Sequence, residues 1–389
     1  MNPNVRFRTA APRKLGLLAV GLAALAFSTQ ARASTASNTQ ISNTATVNFN
    51  DAGGAAQTPV TSAAAVITVQ LVASAPNINT PANISVSQGG ANGTLTYTIT
   101  GTANGPDTYN LAAGDTQTNL TGGSATFPGG TSITLNATTL AAAAPIGATT
   151  ITVPYDQVAS TASINGLTPG STIVIGGNTY VIAAGGINKT NSATTNTVVI
   201  TLTTAIAGTA GVAGQVVPEQ KTFTVSVAPG TVTTGGSGTQ GITVTATSTA
   251  DNTKTGTSGT TTVTTNRPTL TVTKLVSTDN GATFVAAANA PPGTSLIYKI
   301  TATNTGSTNA TQVSFTDVVP LFLTYQNGTG KFATSTATTY SGATTLTEGS
   351  GGYSYTAGTQ TVAYNPGGAT GTVAGSNGVL ILFFRATIN

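Results

Sequence analysis

The sequence predicts an all-β protein, tandem β-sandwiches with a small inserted β module, and three observations carry that prediction. Apolar and hydroxyl residues alternate in many short runs, among them Leu95-Thr96-Tyr97-Thr98-Ile99-Thr100 and Leu270-Thr271-Val272-Thr273-Lys274, the period-2 signature of a half-buried strand. Turn-forming residues punctuate these runs, with 46 Gly and 17 Pro among 389 residues. Helical periodicity is confined to the first residues, and the alanine-rich run Leu140 to Pro145 is the one internal stretch open to a helix.

Residues 1–33 read as a secretory signal. A basic n-region precedes the apolar run Leu15 to Phe27, and Ala31-Arg32-Ala33 supplies a small-x-small cleavage site. That run is too short to span a bilayer, which needs about 20 residues. Arg6, Arg8, Arg13, Lys14 and Arg32 all precede Ala33, leaving eight of the 13 basic residues against nine acidic ones. The mature chain is therefore near neutral, which removes the nucleic-acid reading that the pI of 9.3 invites. No later apolar run is long enough for a transmembrane span. Without cysteine there is no lipid-anchored thiol, disulfide or thiolate metal site. A polar surface of Thr, Ser, Asn and Gly suits dense packing beside copies of itself.

After cleavage, residues 34–75 form a β-hairpin. Ile41, Ala45, Val47 and Phe49 share one parity, Asp51 to Gly54 turns, and Ala65 to Leu71 returns. A lone hairpin is marginal in water, so this one is expected to dock on something. Residues 76–135 and 217–265 build one sandwich, and residues 136–216 form the small inserted all-β module. Within the insertion, Gly176-Gly177-Asn178 supplies the positive-φ residues of a tight hairpin. A loop whose ends already lie close accepts such an insertion at little entropic cost. After the linker Asn266-Arg267-Pro268, the last sandwich occupies residues 268–389. Its central stretch, Pro291 to Tyr325, is read as a strand, an Asn304-Thr305-Gly306 tip, and a returning strand that ends at Asp317.

Two segments carry a family likeness. Gly105-Pro106-Asp107-Thr108-Tyr109-Asn110-Leu111 resembles a segment of immunoglobulin-like surface domains. The last sandwich, with Pro292-Gly293-Thr294, Asn304-Thr305-Gly306, Phe315-Thr316-Asp317 and Pro320, resembles the repeat called domain of unknown function eleven, found in bacterial and archaeal surface proteins. The resemblance implies tandem immunoglobulin-like β-sandwiches on a cell surface. It also implies that a repeat closes with an Ile-x-Asn-Thr-Ala-x-Val strand and a final Val- and Thr-rich strand. Here the last domain stops at Asn389 before such a pair, while Ile41-Ser42-Asn43-Thr44-Ala45-Thr46-Val47 and Val66 to Leu71 stand at the mature N-terminus. The N-terminal hairpin is thus expected to complete the last domain, of its own molecule or of a neighbour, or to pack on its own second domain.

Chemistry is sparse. There is no histidine, the commonest group poised near neutral pH, and the acids stand at turns rather than in pairs, so no catalytic residue and no enzyme is expected. Gly236 to Gly241 fits G-x-G-x-x-G, yet a strand follows it where a phosphate site needs a helix. It is read as a flexible loop. Asp279-Asn280-Gly281 offers too few oxygens for calcium, and no metal or cofactor is expected. Tyr340, Tyr353, Tyr355 and Tyr364 are read as cover for a sandwich flank, the alternative being a sugar-stacking surface. Lys274 shares parity with Leu270, Val272 and Val276, and Asp317 with Val313 and Phe315. The two form a candidate buried pair or amide cross-link, the alternative being that each is solvated at the rim.

The expected function is that of a secreted structural protein of the cell envelope, an outer-layer component or fibre subunit, with itself or other envelope proteins as partners. The alternative is an adhesin or glycan binder.

Overall fold

A computed structural model describes residues 35–157, 160, 162–189 and 196–389; residues 1–33, read above as a secretory signal, lie outside them. Among the described residues there is no helix. The alanine-rich run after Leu140 makes bends, and Ala144 forms a single bridge with Gly211. Pro145 explains this, since the residue before a proline is pushed out of the helical region.

The chain opens with a hairpin of short strands: β1 (Gln40–Asn43), β2 (Thr46–Val47), β3 (Val60–Thr61) and β4 (Ala65–Thr68). Antiparallel β1 and β4 place Ile41 opposite Ile67, and β2 and β3 place Val47 opposite Val60.

The first sandwich begins with β5 (Asn77–Ile78), β6 (Ile84–Ser87), β7 (Gly93–Thr100), β8 (Asp107–Thr118), β9 (Leu120–Thr121), β10 (Ser124–Thr126) and β11 (Ser132–Leu135). The insertion follows as β12 (Ala137–Thr139), β13 (Thr150–Pro154), β14 (Thr172–Ile175), β15 (Asn178–Ile187), β16 (Thr197–Leu202) and β17 (Val216–Pro218). The sandwich resumes with β18 (Gln220–Ala228), β19 (Thr231–Val232), β20 (Ser237–Ser248), β21 (Thr255–Thr257) and β22 (Thr261–Asn266). One sheet runs β10-β18-β7-β5 and the facing sheet β11-β8-β20-β22-β6. Strict alternation along β7 and β20 points Leu95, Tyr97, Ile99, Ile242, Val244 and Ala246 into the space between the sheets, where all are buried. Gly238 and Gly241 belong to β20 itself, paired with β22. The glycine-rich stretch is therefore largely strand rather than flexible loop, because a neighbour on each side supplies the ladder bonds that glycine's entropy opposes.

Inserted strands β13, β16, β15 and β14 form their own sheet around a separate apolar core. Gly176 and Gly177, at φ 57° and 85°, make the two-residue turn between β14 and β15. Buried Glu219 ties the root of the insertion, accepting hydrogen bonds from the Asn136 backbone at 3.0 Å, its carboxamide at 2.8 Å and the Ser171 hydroxyl at 3.0 Å.

The last sandwich comprises β23 (Leu270–Ser277), β24 (Ser295–Asn304), β25 (Phe315–Val318), β26 (Leu323–Tyr325), β27 (Lys331–Ala333), β28 (Thr344–Thr345), β29 (Tyr353–Thr356), β30 (Thr361–Tyr364) and β31 (Gly378–Ile388). Its larger sheet is ordered β23-β24-β31-β27-β28 and its smaller one β25-β30-β29. The strand ending near Asp317 does not return beside β24, as the sequence pattern suggests. It crosses to the facing sheet and pairs with β30.

Candidate functional site

The part of the molecule that fits a function is a pair of incomplete surfaces. The first is the hairpin. Its base is held by Asn104, whose carboxamide accepts from the Val72 backbone N–H at 2.7 Å and donates to the carbonyls of Thr35 at 2.9 Å and Gln70 at 3.2 Å. Beyond that root the apolar side chains are bare. Ile41, Val47 and Phe49 are 52%, 60% and 47% exposed, and their cross-strand partners Ile67 and Val60 are exposed too. Ala45 is exposed with them. A hairpin with neither face covered retains the apolar area that would normally fix its register.

The second surface is one side of the last sandwich. In an antiparallel pair, residues directly opposite each other share a face. Leu270, Val272 and Lys274 of β23 stand opposite Asn304, Ala302 and Ile300 of β24. Ala302 and Ile300 are in turn opposite Leu380 and Leu382 of β31, and these four residues lie in one buried core. Leu270 and Val272 therefore sit on the core side of the sheet, yet they are 42% and 64% exposed. The facing sheet stops short of them. Its outer strand there, β25, pairs with β30 on one side, and among the described residues no strand lies on the other.

Lys274 and Asp317 mark this opening. The Lys274 ammonium lies 2.7 Å from the Asp317 carboxylate, joining β23 to β25 across the gap between the sheets, and 4.8 Å from the centroid of the Tyr298 ring. Burial, with the Asp317 charge adding to it, raises the Tyr298 hydroxyl's pKa. The pair is at the rim rather than buried: the Lys274 side chain is 41% exposed and that of Asp317 12%. Physically, β23 is the last strand of its sheet, so a long side chain reaching outward from it meets water.

The four tyrosines do not form a surface for sugars. Tyr340, Tyr353 and Tyr364 are buried, and Tyr355 stacks on Tyr325 with ring centroids 4.2 Å apart. Sequence parity marks Leu270 and Val272 as inward-facing; that nothing covers them shows only once β25 is seen to be a sheet edge. No group of three or more His, Cys, Asp or Glu side chains arranged to hold a metal occurs among the described residues.

No family model matches the sequence, and no curated protein matches it. Among solved structures, the chain is similar to the C-terminal domain of the antigen I/II-family protein AspA of Streptococcus pyogenes, with 14% identity, 82% of this chain and 92% of that one covered, and a TM-score of 0.32. For the C-terminal domain of BspA from Streptococcus agalactiae the figures are 11%, 81%, 90% and 0.31. For the pilus protein RrgB of Streptococcus pneumoniae they are 13%, 59%, 41% and 0.23. Superpositions this loose carry no functional argument, and the all-β sandwich architecture rests on the strand pairings themselves.

Proposed function

We propose that the mature chain is an exported structural protein of the cell envelope that assembles with copies of itself, the hairpin of one copy supplying strands to the open side of the last sandwich of the next. The observation that carries this reading is the uncovered core-side pair Leu270 and Val272 beside the free edge of β25, in a chain that also carries an uncovered two-stranded apolar hairpin. A strand added to an open edge gains ladder hydrogen bonds, while alternate side chains fill the exposed face. Burying Ile41, Val47 and Phe49 contributes about 1.5 to 3 kcal/mol each, against about 1 to 2 kcal/mol per backbone residue newly ordered. Because the hairpin is already paired within itself, much of that ordering cost is met before docking. A head-to-tail contact of this kind propagates into a fibre or layer instead of closing on itself. Export is supported by the three-part signal at residues 1–33, and the near-neutral mature charge removes a barrier to close packing.

Negative-stain microscopy of the mature protein is expected to show ordered polymers that disappear on deletion of residues 34–71. Val272→Asp in the full-length mature chain is expected to do the same with its circular dichroism unchanged, because that position is exposed in the monomer. Polymers that survive both changes would refute strand donation. Specific glycan binding by a protein that stays monomeric would favour the adhesin reading instead.

A further inference from the structure

The inserted module contains a second arrangement, independent of assembly. Between residues 136 and 216 the sequence has one acidic residue, Asp156, and one basic residue, Lys189. Asp156 follows β13 and Lys189 follows β15, and the fold brings them together out of water. The Lys189 ammonium is 2.5 Å from Asp156 Oδ1, with side-chain exposures of 2% and 1%. Burying the only two charges of a module is costly, and an ion pair in such a place often stabilises less than apolar residues of the same size would. Asp156 Oδ2 accepts a second bond, at 2.5 Å, from the backbone N–H of Asn165.

Asn165 is the third member. It occupies the first central position of a tight turn closed by reciprocal backbone hydrogen bonds between Ile164 and Leu167, at φ 46°, with Gly166 following at φ 78°. The residue is 1% exposed, and neither Oδ1 nor Nδ2 of its carboxamide has a hydrogen-bond partner. A buried amide left unsatisfied costs about 1 to 3 kcal/mol. The module's buried apolar core includes Ile164 and Leu167, which flank the Asn165 turn, and Val153, and the centroid of the Tyr155 ring, itself packed against that core, is 5.0 Å from the Lys189 nitrogen. The cluster is thus an amine, a carboxylate and an unsatisfied carboxamide in an apolar enclosure.

We propose that Lys189 and Asn165 become joined by an amide bond, with Asp156 as the proton carrier. One proton passes from the Lys189 ammonium to the Asp156 carboxylate, and the free amine attacks Cγ of Asn165. A second proton moves from the attacking nitrogen to Nδ2, the Cγ–Nδ2 bond breaks, and ammonia leaves. The Nζ–Cγ bond remains, and Asp156 retains the first proton as a neutral acid able to donate to the new amide carbonyl. No oxidant or reductant takes part. The reaction removes both buried charges and gives the Asn165 oxygen a partner, so the unfavourable features of the starting cluster drive the step. The product clamps the turn at Asn165 to the end of β15.

The sequence makes the test simple. After Arg32 the next basic residue is Lys189, and the one after it is Lys221. Trypsin acting on the denatured mature protein is expected to leave Lys189 uncut, giving one species spanning residues 33–221 or beginning at the mature start, lighter than its sequence by the mass of one ammonia. Lys189→Arg, Asn165→Ala and Asp156→Ala should each restore the full mass, and Lys189→Arg should restore cleavage at that position. Cleavage of the unsubstituted chain after Lys189 at full mass would overturn the proposal. Loss of one water, with fragmentation joining Lys189 to Asp156, would overturn the assignment to Asn165. Both readouts come from the unsubstituted chain and do not depend on any variant folding.

Discussion

The two sandwiches begin alike and end differently. In the first, one sheet runs β10-β18-β7-β5; in the last, β27-β31-β24-β23 repeats that order with the strands in the same sequence along the chain. Each then sends its next strand, β8 or β25, across to the facing sheet. There the likeness ends. Strand β8 lies between β11 and β20, and β22 extends the sheet beyond β20, so Val225, Val227, Ile242, Val244 and Val263 close a dry core. Strand β25 has a neighbour on one side alone among the described residues, and Val272 on the opposing sheet faces solvent. The difference teaches that an open face need not come from a poor strand sequence. From Leu270 to Thr273 strand β23 alternates apolar and hydroxyl residues as β7 does; it lacks a layer to pack against.

Substitutions at matching depth sharpen this contrast. Ile242→Ala, in the strand that fills the first sandwich, should cost about 2 to 5 kcal/mol of that unit's stability. Val272→Ala, equally core-facing by register, should stay within about 0.5 kcal/mol in the isolated monomer and lower stability only in the assembled state. Denaturant unfolding of monomer and polymer separates the two. A large effect of Val272→Ala in the monomer would show that the last sandwich closes on itself.

A smaller effect is expected at alkaline pH. Burial pushes the hydroxyls of Tyr353 and Tyr364 in the last sandwich up to about 12, from an ordinary value of 10.0. Folding favours the neutral ring, so this stabilisation is fully present below about pH 10 and is lost as the pH climbs through about 12. In the first sandwich, Tyr97 and Tyr109 are raised by burial as well. Thermal melting should therefore weaken from pH 10 upward. Tyr364→Phe, where burial is the sole cause of the shift, should blunt the loss; a flat profile would contradict this account of the core.

Much of the fold was legible because alternation reports half-burial directly. Strands β7, β18 and β20 follow it, whereas β24 is covered on both faces and β23 is exposed at five successive residues; the Gly176–Gly177 turn needed only its positive-φ residues. Alternation does not say which neighbour a strand will choose, and so β25 was expected to return beside β24. Nor does it distinguish a covered inward face from an open one, which is why Lys274 and Asp317 read equally as a buried pair or as rim residues; the structure pairs them at 2.7 Å with the Lys274 side chain 41% exposed. The cluster of Asp156, Asn165 and Lys189 was invisible to local pattern, since Asp156 and Asn165 lie nine residues apart on the connection between β13 and β14 and Lys189 lies after β15. The one clue was compositional: a module with a single charge of each sign.

The central claim is that the hairpin of one copy closes the last sandwich of another. The chain has no cysteine of its own, so introduced thiols report without background. Mature protein carrying both Val47→Cys and Val272→Cys, treated with a short thiol cross-linker and run under denaturing conditions, should give a ladder of covalent multimers. A single internally linked monomer, or no linkage at all, would contradict the account.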